Sequence, residues 1–391
     1  MELIKKTLKL TLTGAFLSLC FIACDDDDSK PNLRTKLDYN LLTAETEYPA
    51  LFVDASGATT VDLSEGNNRY KMFSGLNSYS STSISGNTKI DAARLKNMFS
   101  NTNSPFTDIP ASNISGAALN AANVQLKNVT ASSRTAAAAE TVRTKIESLF
   151  TEIETASNSV TEIAAKGKAG KLGTYLVDAK GIEIIQIIQK SLIGSLQLDY
   201  IGNVLLNDGL DADNHSLVGD KAYTQLEHNW DEAYGFLTLN PIYLKGSTDL
   251  AKGTTESFGG SYIWEYNKTG YPKIFPAFLK GRAAIVNNDK AEIEAQATII
   301  RTEFERAIAG AALGYLDKWK DGSLTEAQRA HAIGEGLGFV YSLRFANLHK
   351  VDDKFSDDLL VVLVGSANGF WDLDAAKIAA ASDAIKAKFG M

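Results

Sequence analysis

TVRTKIESLFTEIETASNSVTEI, residues 141–163, decides the fold. Within it Val142, Ile146, Leu149, Ile153, Ala156, Val160 and Ile163 step by 4, 3, 4, 3, 4 and 3. That spacing puts every apolar side chain on one face of an α-helix and suits no strand. Downstream, Gly181 to Leu206 is apolar nearly all round (Ile182, Ile184, Ile185, Ile187, Ile188, Leu192, Ile193, Leu196, Ile201, Val204). Glu183, Gln186, Lys190 and Asp199 interrupt it, which points to a helix at the centre of a bundle, not to a membrane span. Asp289 and Glu292 have the spacing of a capping box, and Ile293, Ala297, Ile300, Phe304, Ile308, Ala311, Tyr315 and Trp319 form one stripe behind them. Asp321-Gly322 ends that helix, and Ser323 with Glu326 is expected to cap the next. The class is all-α, expected as two pseudo-symmetric antiparallel helical bundles packed together. Upstream, Tyr39 to about Ser133 is rich in Ser, Asn, Thr and Gly; it predicts loops and short helices, such as Asp91 to Phe99, wrapped on that body. No apolar alternation there supports a sheet.

The other end of the chain carries an address. Lys5, Lys6 and Lys9 precede an apolar run from Leu10 to Ala23, followed by Cys24 and the acidic run Asp25 to Asp28. This is the layout of a secretory signal, too short to span a bilayer comfortably. Phe21-Ile22-Ala23-Cys24 has the form of a lipobox, so residues 1–23 are expected to be removed and Cys24 acylated, with 24–38 an acidic linker and 39–391 a helical domain. The expected location is the outer membrane, held by lipid, on the cell surface or the periplasmic face. Cys20 and Cys24 are the only cysteines, so the mature body would have no thiol for a disulfide, a metal or a nucleophile. Removal of the leader takes three lysines and one glutamate, leaving 36 basic and 46 acidic side chains and a net charge of −10. That balance disfavours nucleic acid as a partner and is compatible with cations.

There are four histidines, His215, His228, His331 and His349. Two of them open the same pattern: His228, Glu232, Gly235, Phe236 and His331, Glu335, Gly338, Phe339 share His, Glu at +4, Gly at +7 and Phe at +8. Each follows an apolar helix, a tyrosine (Tyr200, Tyr315) and an Asp-Gly pair (Asp208-Gly209, Asp321-Gly322), which indicates an internal duplication of about 100 residues. The first repeat covers about 134–260 and the second about 277–391. On a helix these positions share a face. His and Glu one turn apart can ligate a divalent metal, and the glycine lets a neighbouring helix come close. If the repeats pack about a twofold axis, His228, Glu232, His331 and Glu335 converge as a set suited to zinc, iron or manganese. The other reading is that each pair is a buried hydrogen bond that locks a helix. Asp231 adds a carboxylate beside His228, making the first copy the stronger candidate.

Trp230 within the first copy, Trp264 in an aromatic, loop-like stretch from Gly259 to Pro272, and Arg282 form a candidate ligand-binding set. Exposed aromatics can stack on a porphyrin, a sugar or a partner. Arg282 either clamps an anion or salt-bridges an acid in the core. Asp208, Asp211, Asp213 and Asn214 only faintly follow a calcium-loop pattern and fit a solvated connector. No His-Glu-x-x-His, Gly-x-Ser-x-Gly or phosphate-binding glycine loop is present.

The segments Gln189 to Leu196, Tyr223 to Phe236 and Ala277 to Ile285, with Asn68 to Met72, resemble the marker segments of an uncharacterised Bacteroidetes lipoprotein family. That family is similar in plan to imelysin-like proteins, all-helical double bundles of the bacterial envelope associated with iron uptake, which carry Gly-x-His-x-x-Glu. Here His228 has Asp231 at +3 and Glu232 at +4 and no glycine two residues before it. The resemblance implies a non-enzymatic envelope protein that binds a metal ion, an iron chelate or haem in iron acquisition, with a TonB-dependent receptor as a possible partner. The alternatives are a structural or partner-binding accessory lipoprotein and a metal-dependent hydrolase.

Overall fold

The computed structural model describes residues 33–237 and 257–391. The leader, Cys24 and the acidic run lie outside the described residues. Helix α1 runs Ser64–Ser85, α2 Ala92–Ser100, α3 Ala136–Ser157 and α4 Ile184–Leu192, the last continuing as a π-helix over Ile193–Leu205. Then come α5 Gln225–Phe236, α6 Phe258–Tyr266, α7 Tyr271–Asn287, α8 Lys290–Lys318, α9 Glu326–Ser342, α10 Asp353–Val364 and α11 Ala375–Phe389. Among the described residues the fold is all-α apart from one antiparallel hairpin, Gly170–Leu172 with Tyr175–Val177.

The apolar spacing read from the sequence is the core. Val142, Ile146, Leu149, Ile153 and Ala156 are buried on α3. Its last two expected members are not helical: the helix ends at Ser157, and Ile163 is 80% exposed. Lys171 donates its backbone N–H to Glu162 O there, so the chain has already turned toward the hairpin. The α4 segment and its π-helical continuation are buried almost throughout and pack against α3, α5, α8 and α9. No helix among the described residues is long and apolar enough to cross a membrane.

Several sequence expectations need correction. Residues 64–85, expected as loops and short helices, form a 22-residue helix packed along α5. The aromatic stretch from Gly259 is α6, followed directly by α7, which starts at Tyr271 and contains Pro276. The cap of α9 is Thr325 with Gln328, both arms of the capping box being formed, while Ser323 bonds back to Asp321.

Candidate metal centre

Helix α5 is fixed at its start by a reciprocal capping box. Thr224 accepts from the Glu227 N–H, and the Glu227 carboxylate accepts from the Thr224 N–H. Its sequence then presents His228 and Glu232 on one side and Glu227 and Asp231 on another. The first side faces the N-terminal turn of α1. Two glycines set that spacing: a Cβ on Gly66 would meet Glu232 O at 2.5 Å, and one on Gly235 would meet Leu63 at 3.2 Å. Small residues let the backbones approach until side chains one turn apart reach the opposite helix.

That approach brings Glu65 of α1 to His228 and Glu232. One ligand atom from each of the three lies within 4.8 Å of the other two. Glu232 is 3% exposed and His228 8%, whereas the Glu65 side chain is 44% exposed and faces the solvent side. Arg69 Nη1 pairs with Glu232 Oε1 and sits 3.2 Å from Glu65 Oε2. Tyr200, carried by the π-helix, donates to Glu232 Oε2 at 3.2 Å. Tyr223 stacks on the His228 ring at 4.7 Å, and His228 Nδ1 has no hydrogen-bond partner. Burial pushes the His228 imidazole down against the pull of Glu65 and Asp62, toward its neutral form. Burial also pushes the Glu232 carboxyl up, to about 7, because Arg69 offsets only part of the cost and Glu65 adds to it. A neutral imidazole and a poorly compensated carboxylate are what a divalent cation stabilises.

The other side of α5 is committed to structure. Arg282 is fully buried; its Nε donates to Asp231 at 3.0 Å, one Nη to Glu227 at 2.9 Å and the other to Thr60 at 3.1 Å. Tyr48 donates to Asp231 at 2.7 Å, and Arg34 pairs with Glu227 at 2.9 Å. Asp231 is therefore no ligand beside His228 but part of an ion cluster that ties residues 34–60 to α5 and α7. Arg282 is the core salt bridge and not the anion clamp. Trp230 is also core: fully buried, it donates Nε1–H to Phe278 O at 2.9 Å and covers Gly281. Trp264 is half-buried on α6, edge-on to Tyr271, with Lys268 Nζ 3.1 Å from its ring centre.

The second copy is built the same way on different partners. His331 and Glu335 lie on α9, which packs on α4, and Gly338 lets Lys190 and the Gln186 backbone come close. Glu183, at the start of α4, takes His331 Nδ1 at 2.6 Å, and Lys190 pairs with Glu335 at 2.9 Å. Tyr262 donates to Glu335 at 3.3 Å and Tyr175 stacks on His331 at 4.3 Å. Each His-Glu pair thus receives its acid and its base from its own partner helix. Among the described residues His331 and Glu335 do not join the Glu65, His228 and Glu232 group. The expected four-residue site is not formed, because α5 is covered by α1 and α9 by α4.

A model of a domain of unknown function, DUF4856, matches residues 51–391. The chain belongs to the DUF4856 family. No curated protein and no solved structure matches it. The DUF4856 span includes Glu65, Arg69 and both His-Glu pairs, while Arg34 and Tyr48 precede it. The residues that sequence reasoning missed, Glu65 and Arg69, lie more than 150 positions before His228. Arg69 falls inside the Asn68–Met72 segment, which carried no assigned role, and the further signal was the helical recurrence of Gly66, Arg69, Met72, Phe73, Leu76, Ser80 and Ser83 along α1, diluted by small and polar residues.

Proposed function

We propose that this DUF4856 protein is a non-enzymatic, lipid-anchored envelope protein that binds one divalent first-row metal ion, iron, zinc or manganese, on Glu65, His228 and Glu232 and serves iron acquisition. The anchor rests on the lipobox at Phe21 to Cys24 and the acidic run after it, and the acidic balance suits a cation-handling protein. One observation carries the binding claim: three donor atoms of the right types lie within 4.8 Å, and the buried imidazole among them keeps an unpartnered nitrogen. The burial of His228 and Glu232 favours a single ion over a haem or a bulky chelate. The rival reading, a structural or partner-binding accessory lipoprotein, is favoured by Arg69, which already pairs with Glu232.

Calorimetric titration of the metal-free protein with Mn(II), Fe(II) and Zn(II) tests the proposal. We expect one ion per chain, and a loss of at least about tenfold in affinity, roughly 1.4 kcal/mol, for His228→Ala and for Glu232→Ala. Identical isotherms for wild type and the double variant would remove the binding claim and leave the accessory reading.

A further inference from the structure

Arg69 stands where a cation is wanted. One nitrogen of its guanidinium contacts both Glu65 and Glu232, the two carboxylates of the proposed metal set. The side chain is 6% exposed, it lies 5.3 Å from the Tyr200 ring centre, and its Nε has no hydrogen-bond partner. Arg282, on the far side of α5, is different: Nε and both terminal nitrogens are bonded. A buried unpaired N–H is unfavourable, so Arg69 is held less completely than Arg282. Geometry adds a second point. Donors around a tetrahedral or octahedral ion with bonds near 2.1 Å sit about 3–3.5 Å apart. The trio is spread over up to 4.8 Å, with a guanidinium nitrogen touching both acids.

We infer that Arg69 is a displaceable counter-cation: it occupies the carboxylate pair in the metal-free protein, leaves when a divalent ion enters, and so sets the affinity of the site and its preference for doubly charged ions. The inference rests on the metal reading of Glu65, His228 and Glu232. Charge counting gives the selectivity. With both acids ionised, as metal ligation requires, and the imidazole uncharged, the two carboxylates and one guanidinium sum to −1. Exchange of Arg69 for a divalent ion brings the site to zero, whereas exchange for a monovalent ion gains nothing. Holding the arginine and the metal together would leave a buried net +1, which is costly. Glu65, the solvent-facing member on the same helix one turn before Arg69, marks the side where ion and side chain trade places.

Titration of full-length wild type, Arg69→Gln and Arg69→Lys with Zn(II), and separately with Mn(II), tests this. Arg69→Gln should bind on the order of tenfold tighter or more, the effect of removing one like charge beside a bound ion. Arg69→Lys, which keeps the charge on a shorter side chain without the guanidinium plane beside Tyr200, should fall between it and wild type. If wild type binds and both variants bind equally or more weakly, Arg69 is purely structural and the inference fails while the metal site stands. If neither wild type nor folded variants take up either ion, the metal reading itself fails. Should Arg69→Gln not fold, the comparison of Arg69→Lys with wild type decides by the same criterion.

Discussion

His228 and His331 hold matching places in the repeated pattern and opposite electrostatic situations. His228 is pushed toward the neutral form by burial. Burial would lower His331 too, but its hydrogen bond to Glu183 and the charges of Glu183 and Glu335 outweigh that and leave it raised from 6.5. Lys190, the cation of that cluster, works against the rise, and Tyr175 covers the ring. A histidine whose folded-state pKa is raised contributes stability that is fully present below its unfolded value and lost as pH rises through the folded one. Glu183, itself pushed up by burial, closes the window on the acid side as it takes a proton. His331→Gln should therefore lower Tm by about 2 °C or more at about pH 6 and by less at about pH 9. An equal loss at both would mean that the imidazolium does not hold α9 to α4.

The helices rich in apolar side chains were legible and those built from small and polar ones were not. Burial of α3, α4 and α8 follows from Leu, Ile and Phe at helical spacing, which cannot be satisfied in water. Helix α1 buries Gly66, Arg69, Gly75, Ser80 and Ser83 among Met72, Phe73, Leu76 and Ile84, so composition reads it as loop although its buried positions keep the same period. The His-Glu pairs were visible because i and i+4 share a face in any helix, whereas their acids and bases come from helices that only tertiary packing selects. The common site failed for the same reason: a pattern on one helix does not say which helix will cover it. The close α1–α5 approach makes a direct prediction. Gly66→Ala places a methyl 2.5 Å from Glu232 O and should destabilise the protein by about 1–3 kcal/mol. It should also weaken metal binding, since it carries Glu65 away from His228. A Gly66→Ala protein with unchanged Tm and unchanged metal affinity would contradict the packing that builds the site.

Taken across the fold, one central segment, α4 with its π-helical continuation, serves both clusters. It supplies Glu183 and Lys190 to one and Tyr200 to the other. The π-helix is buried nearly throughout, and its half-buried Tyr200 is set against Glu232. The Arg282 cluster clamps residues 34–60 onto the same helix, α5, that carries His228 and Glu232, so the stretch leading into α1 is held against the helix of the proposed metal donors. The site thus depends on long-range packing and not on any local sequence unit. Anomalous diffraction from crystals grown with Mn(II) or Zn(II) tests this account most directly. It predicts a single peak about 2–2.3 Å from Glu65, His228 and Glu232, with Arg69 turned away. A map with no peak there, and Arg69 still bridging the two glutamates, would contradict it.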